Sequence, residues 1–184
     1  MISREEALAF LEKYIKDEKL IKHSLAVEAI MRGLAKRLGR NEDIWGLTGL
    51  LHDLDYEYTR DDPVEHGIIA CEMLKGLVPE EILDAIKAHN YKYTSLAPTR
   101  SLEKALVAAD AVSGLIIATA LVMPSKKLSE VRVETLMKKF DDKSFAKGVD
   151  RKEISMCYDF GIPLREFLEI SLRSLQAIAD ELGL

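Results

Sequence analysis

Apolar residues in this chain recur at intervals of three and four, segment after segment, and nowhere alternate for long with polar ones. That spacing lines up one stripe of a 3.6-residue helix and is unsuited to a half-buried strand, so the sequence predicts an all-α fold. The punctuation between stripes agrees. Ser3-Arg4-Glu5-Glu6 has the form of a capping box and predicts a first helix to about residue 15. His23, Val27, Ile30, Met31 and Leu34 form the second stripe, which Gly39 is placed to stop. Asn41, followed by Glu42 and Asp43, opens a third helix through Trp45, Leu47, Leu50 and Leu51.

Asp62-Pro63 predicts the start of a fourth helix with His66 in its first turn and Gly76 as its stop. Pro79-Glu80-Glu81 opens a fifth, carrying Ile82, Leu83, Ile86 and His89, before a loop over 91–98. A helix over about 101–122 places Leu102, Leu106, Ala109, Asp110 and Ser113 on one face. Beyond Pro124 the pattern predicts a charged helix over 129–140 and a short helix opened by Asp150-Arg151-Lys152-Glu153. That region reads as solvated surface. A last helix follows Pro163, striped by Leu164, Phe167, Leu168, Leu172, Leu175 and Ile178.

A length of 184 residues suits one domain. The net charge of -5 argues against a nucleic-acid polymer or an anionic membrane as the partner of a broad basic face, while leaving room for a local basic pocket. Cys71 and Cys157 stand alone without a CxxC, so neither a disulfide framework nor a cysteine zinc site is expected, and a reducing cytoplasm is. The charged, amphipathic N-terminus lacks the form of a signal peptide. The apolar stretch over 115–123 falls short of the ~18 residues of a membrane span, so none is expected.

All four histidines fall on the inner side or at the end of a core helix. In order they are His23, His52 of the doublet His52-Asp53, His66 and His89, followed by Asp110. Singly, a histidine on an apolar stripe is most often a hydrogen-bonded core residue. Jointly, four imidazoles and two carboxylates are expensive to bury without compensation, and a shared cation is the economical solution. Imidazole with carboxylate suits Fe, Mn, Zn, Ni or Co better than Ca.

These residues resemble the H...HD...D signature of the HD-domain superfamily of metal-dependent phosphohydrolases. His23, His52-Asp53 and Asp110 match its four-ligand core, and His66 and His89 match the extra histidines of two-metal members. The contexts LLHDLD, EHGIIACEML, AIKAHN and ALVAADAVSGLI are similar too. The resemblance spans roughly residues 20–122. It implies a single-domain helical bundle over 1–184, with 123–184 as an appended helical extension. It also implies two divalent ions bridged by Asp53, the first completed by His23, His52 and Asp110 and the second by His66 and His89. The implied reaction is hydrolysis of a nucleotide or other small phosphate mono- or diester, with metal-activated water as nucleophile and Asp53 as the catalytic candidate.

Tyr56 stands where members acting as deoxynucleotide monophosphatases or on guanosine tetraphosphate commonly carry an acid, so those activities are not implied. The lack of GYP near HDLDYEY argues against the cyclic-di-GMP branch. Asp55 and Glu57 read first as solvated helix-end charges, and second as proton relays or supports for a ligand. Lys92 is the candidate substrate-binding residue, ahead of Arg60 and Arg100, which read as solvent-facing; Tyr91 and Tyr93 flank it where a base could stack. Two alternatives stay open: a di-iron oxygenase of the same superfamily, and a non-catalytic metal- or nucleotide-binding regulatory module. Substrate, metal and oligomeric state are not legible.

Overall fold

Ser3, Gly39 and Asn41 cap as predicted, and Asp17, which the sequence reading did not single out, opens the second helix. The computed structural model describes residues 1–184, and its elements are helices and turns with no strand. In α1 (Arg4–Tyr14), the Ser3 hydroxyl accepts from the Glu6 amide while the Glu6 carboxylate accepts from Ser3. α2 (Glu18–Leu38) starts under the Asp17 side chain and stops on Gly39, whose φ of 63° is the left-handed conformation that glycine adopts without penalty. The Asn41 side chain accepts from the amides of Asp43 and Ile44 to open α3 (Glu42–Leu51).

The chain then departs from expectation. Residues 56–59 form a one-turn helix, α4 (Tyr56–Thr59), and the next helix, α5 (Ile68–Leu74), begins later than Asp62-Pro63 predicts. His66 therefore sits in the turn before α5 and not within its first turn. The reason is a cap from far upstream: the Asp55 carboxylate accepts from the amides of Gly67 and Ala70 at 2.8 and 2.9 Å. Gly67 has φ 83°, and a Cβ there would lie 2.9 Å from the Ile86 carbonyl oxygen, so the close approach of this turn to the next helix needs glycine.

α6 (Glu80–His89) follows Pro79 as expected, but the expected loop at 91 opens with a further turn of helix, α7 (Tyr91–Thr94). α8 (Ser101–Leu121) is long and apolar enough to cross a membrane, which a reading stopped at its Ala and Thr residues underestimates. Here that apolarity is spent inside the bundle: Leu106, Ala109, Val112, Leu115 and Ile116 are fully buried, and α2 and α6 pack against the helix. The expected helix over 129–140 is a short 3-10 turn followed by α9 (Val133–Asp141). α10 (Arg151–Ser155), α11 (Leu164–Ala177) and α12 (Ala179–Leu182) complete the chain.

Two apolar cores result. One is built by α2, α8 and α11; the other joins α1 and α5 to the inner faces of α3 and α6. The region after Pro124 is not merely solvated surface, since Leu128, Val131, Leu136, Ile154, Cys157 and Phe160 are buried in the first core. Their apolar positions are widely spaced among charges, which hides the pattern. α3 lies against α2 so closely that a Cβ on Gly49 would fall 2.8 Å from the Val27 carbonyl oxygen. This contact brings the end of α3 beside His23.

Candidate metal centre

α3 runs out of apolar residues at Leu51, and the next two side chains turn inward: His52 is fully buried and Asp53 is 8% exposed. The Asp53 carboxylate is a hub. Its Oδ1 lies 3.4 Å from His52 Nε2, 3.2 Å from His66 Nε2 and 3.5 Å from His89 Nε2; its Oδ2 lies 3.5 Å from His23 Nε2. His23 Nε2 also meets Asp110 Oδ1 at 3.1 Å. Thus all six predicted residues converge, from α2, the end of α3, the turn before α5, the end of α6 and the middle of α8. His23, His52 and Asp53 form one group of mutually close ligand atoms, and Asp53, His66 and His89 another, with Asp110 joined through His23.

Each imidazole is tied back at its other nitrogen. His52 Nδ1 lies 2.8 Å from the Gly49 carbonyl, His89 Nδ1 2.5 Å from the Ile86 carbonyl and His66 Nδ1 2.8 Å from Asp55 Oδ1. These oxygens only accept, so each Nδ1 carries the proton. Ser113 Oγ, whose own proton goes to the Asp110 carbonyl at 2.8 Å, can accept from His23 Nδ1 at 3.4 Å. In the neutral rings, all four Nε2 lone pairs then point at Asp53. His52 Nε2 is buried without a hydrogen-bond partner, and the Nε2 atoms of His66 and His89 face each other at 3.0 Å. Lone pairs so opposed need a proton or a cation between them, and imidazoles backed by carbonyls and a carboxylate are the donor set of a divalent transition metal.

Without an ion, protons take that part. Burial works against charge on His23, but the Asp110 hydrogen bond and the charges of Asp110 and Asp53 lift its pKa to about 9. Burial likewise opposes charge on His66, which Asp53 and Asp55 lift to about 10. Burial dominates at His52 and lowers its pKa. Asp53 is held well below the carboxylate range: burial would raise it, and the surrounding histidines reverse that.

Asp55 is not a solvated helix-end charge. It is fully buried, orients His66 and caps α5 through Gly67 and Ala70. Glu57 accepts from the amides of Lys16 and Asp17 at the entry to α2, at 2.9 and 2.7 Å. Asn90, which sequence reasoning missed, donates to the Pro63 and His66 carbonyls and pins the His66 turn. No local signal marks Asn90, because its partners are distant in sequence.

The centre opens into a pocket of about 370 Å³, whose wall includes Tyr56, Tyr93, Lys92 and Glu153. Lys92 reaches it, held by Asp150 at 2.9 Å and Glu153 at 2.7 Å. Desolvation opposes its charge, but the two carboxylates outweigh it and hold the ammonium protonated. Glu153, from the C-terminal third, is another residue missed in the sequence. Tyr91 is engaged through its hydroxyl, which donates to Glu153, whereas Tyr93 is exposed. Arg100 is absent from the pocket wall and pairs with Asp84 and Glu103; Arg60 lies over the Tyr56 ring. Against known families, the model described as HD domain matches residues 20–115, more than half of the chain.

Proposed function

Because the chain belongs to the HD-domain family of metal-dependent hydrolases, we propose that it hydrolyses a nucleotide or other small phosphate mono- or diester. The observation that carries this reading is the Asp53 carboxylate facing four imidazole Nε2 atoms whose Nδ1 atoms are all tied back. His23, His52, Asp53 and Asp110 would hold one divalent ion, and Asp53, His66 and His89 a second, each drawn from Fe, Mn, Zn, Ni or Co. Two such ions, when bound, would supply Lewis acidity to phosphoryl oxygens and lower the pKa of a water towards neutrality.

The chain's own residues do the rest. The carbonyls of Gly49 and Ile86 and the Asp55 carboxylate fix the ring orientations, so little reorganisation is needed when ligands bind. Lys92, charged and held at the pocket wall, donates to a phosphate oxygen. Free, buried cysteines suit the reducing cytoplasm in which we place the protein.

The test is metal content followed by a panel of nucleotides, cyclic nucleotides and sugar phosphates, with Asp53→Ala as control. Hydrolysis of at least one ester, lost together with metal in Asp53→Ala, is the expected result. A metal-loaded protein inert to every ester, and consuming oxygen with a polyol instead, would sink the reading.

A further inference from the structure

Next to the metal pocket, and sharing Lys92 with it, lies a second depression of about 820 Å³ built by the C-terminal third. Five cations line it, Lys92, Lys143, Lys147, Arg151 and Lys152, against the acids Asp150 and Asp159. In a chain of net charge -5 this is a local reversal of sign. The two acids are already answered, Asp150 by Lys92 and Asp159 by Lys104. Arg151 is consumed internally. Its guanidinium donates to the carbonyls of Lys139, Phe140, Asp142, Phe145, Ala146 and Val149.

Lys143, Lys147 and Lys152 are left exposed and outside every ion pair. The loop that carries the first two is wound around Arg151 and holds Ala146 at φ 46°, a left-handed conformation unfavourable to a residue with a Cβ. So the lysines ride on a braced backbone. Between the two depressions stands the trio Lys92, Asp150 and Glu153, with Asp150 lining one side and Glu153 the other.

We infer that this depression is an anion-binding compartment for the same molecule whose phosphate enters the metal pocket, so that the substrate carries a second phosphate remote from the one attacked. The inference rests on the proposed phosphohydrolase reading. A volume of about 820 Å³ fits a small molecule, sites for which typically span roughly 300 to 1,000 Å³. Three free lysines are also too few for the basic stripe a nucleic-acid polymer needs.

The test compares adenosine 3′,5′-bisphosphate with adenosine 5′-monophosphate on the full chain, metal-loaded and chelator-treated. Binding is read by calorimetry, and protection of the three lysines from acylation is read by mass spectrometry. The bisphosphate is expected to bind more tightly than the monophosphate and to protect Lys143, Lys147 and Lys152. The triple variant Lys143→Ala, Lys147→Ala, Lys152→Ala should weaken it by about 10- to 100-fold, and the corresponding triple Arg variant should restore it.

Equal binding of the two nucleotides, or bisphosphate binding indifferent to the triple Ala variant, would overturn the compartment even if phosphate esters are hydrolysed. Lysine-dependent bisphosphate binding by a protein inert to every ester would instead overturn the hydrolase reading and keep the compartment. Three lysines predict a log–log salt slope no steeper than about -2 for a single-stranded oligonucleotide. Tight oligonucleotide binding with a steeper slope would replace the small molecule with a polymer.

Discussion

Asp53 and Asp55 are two positions apart, and their carboxylates face opposite problems. Asp53 gathers histidine nitrogens, whereas Asp55, fully buried, accepts from two amides and faces a proton-bearing Nδ1. Replacing Asp55 by Ala strands those donors and is expected to cost about 3 kcal/mol, measured by urea unfolding of the chelated protein. The same change should weaken metal binding by about 10- to 100-fold through a loosened His66, measured by metal titration. In the metal-free chain His23 and His66 carry pKa values of about 9 and about 10, above the ordinary 6.5. Their contribution to stability is therefore full below pH 6.5 and is lost as pH rises through 9 to 10. The chelated protein should unfold at a lower temperature at pH 10 than at pH 6.5, as calorimetry would show. His23, His89 and Asp110 were legible because ionisable groups on apolar stripes contradict their surroundings, and the full set of six because its order resembles the HD-domain signature. Asp55 was legible only as a second reading, the support of a ligand, since its other partners are amides 12 and 15 residues later.

At the scale of elements, a helix start is readable when its cap is local. Ser3 and Asn41 each accept from an amide within three residues, whereas α5 takes its cap from Asp55 and so begins after Gly67 instead of at Pro63. Interhelical distance is also encoded, in residues that pattern reading passes over. Gly49→Ala would press a Cβ to within 2.8 Å of the Val27 carbonyl oxygen and 2.9 Å of the Glu28 Cα. We expect a loss of about 1–3 kcal/mol in urea unfolding. Metal content should fall as well, because α3 delivers His52 and Asp53 while α2 delivers His23. Gly39→Ala is the contrast. Nothing crowds its Cβ, so it should cost only about 1 kcal/mol for the left-handed φ and leave metal content unchanged.

Over the whole molecule, the C-terminal third is both packing and wall. Phe167, Leu168 and Leu175 are buried in one core with Ile30, Met31 and Leu34 of α2, while Glu153 and Lys92 join this part of the chain to the pocket. A fragment ending at residue 122 is expected to lack a cooperative thermal transition, because it leaves the α2 and α8 faces of that core uncovered. A sharp transition in the fragment would show instead that residues 1–122 fold unaided. The sequence misled here because buried residues such as Leu136 and Ile154 are separated by charged neighbours, which conceals a stripe only one residue wide.

The convergence of five separate elements on one centre, four of them through the Asp53 carboxylate, would make the supply of metal a determinant of how long the protein lasts. An ion that binds only the assembled centre adds about 2.7 kcal/mol at a free concentration one hundred times its dissociation constant. That is a large share of the stability of an ordinary domain. In a cell short of the right metal, the chain should open more often and be degraded sooner, so its abundance would follow metal status without any dedicated sensor.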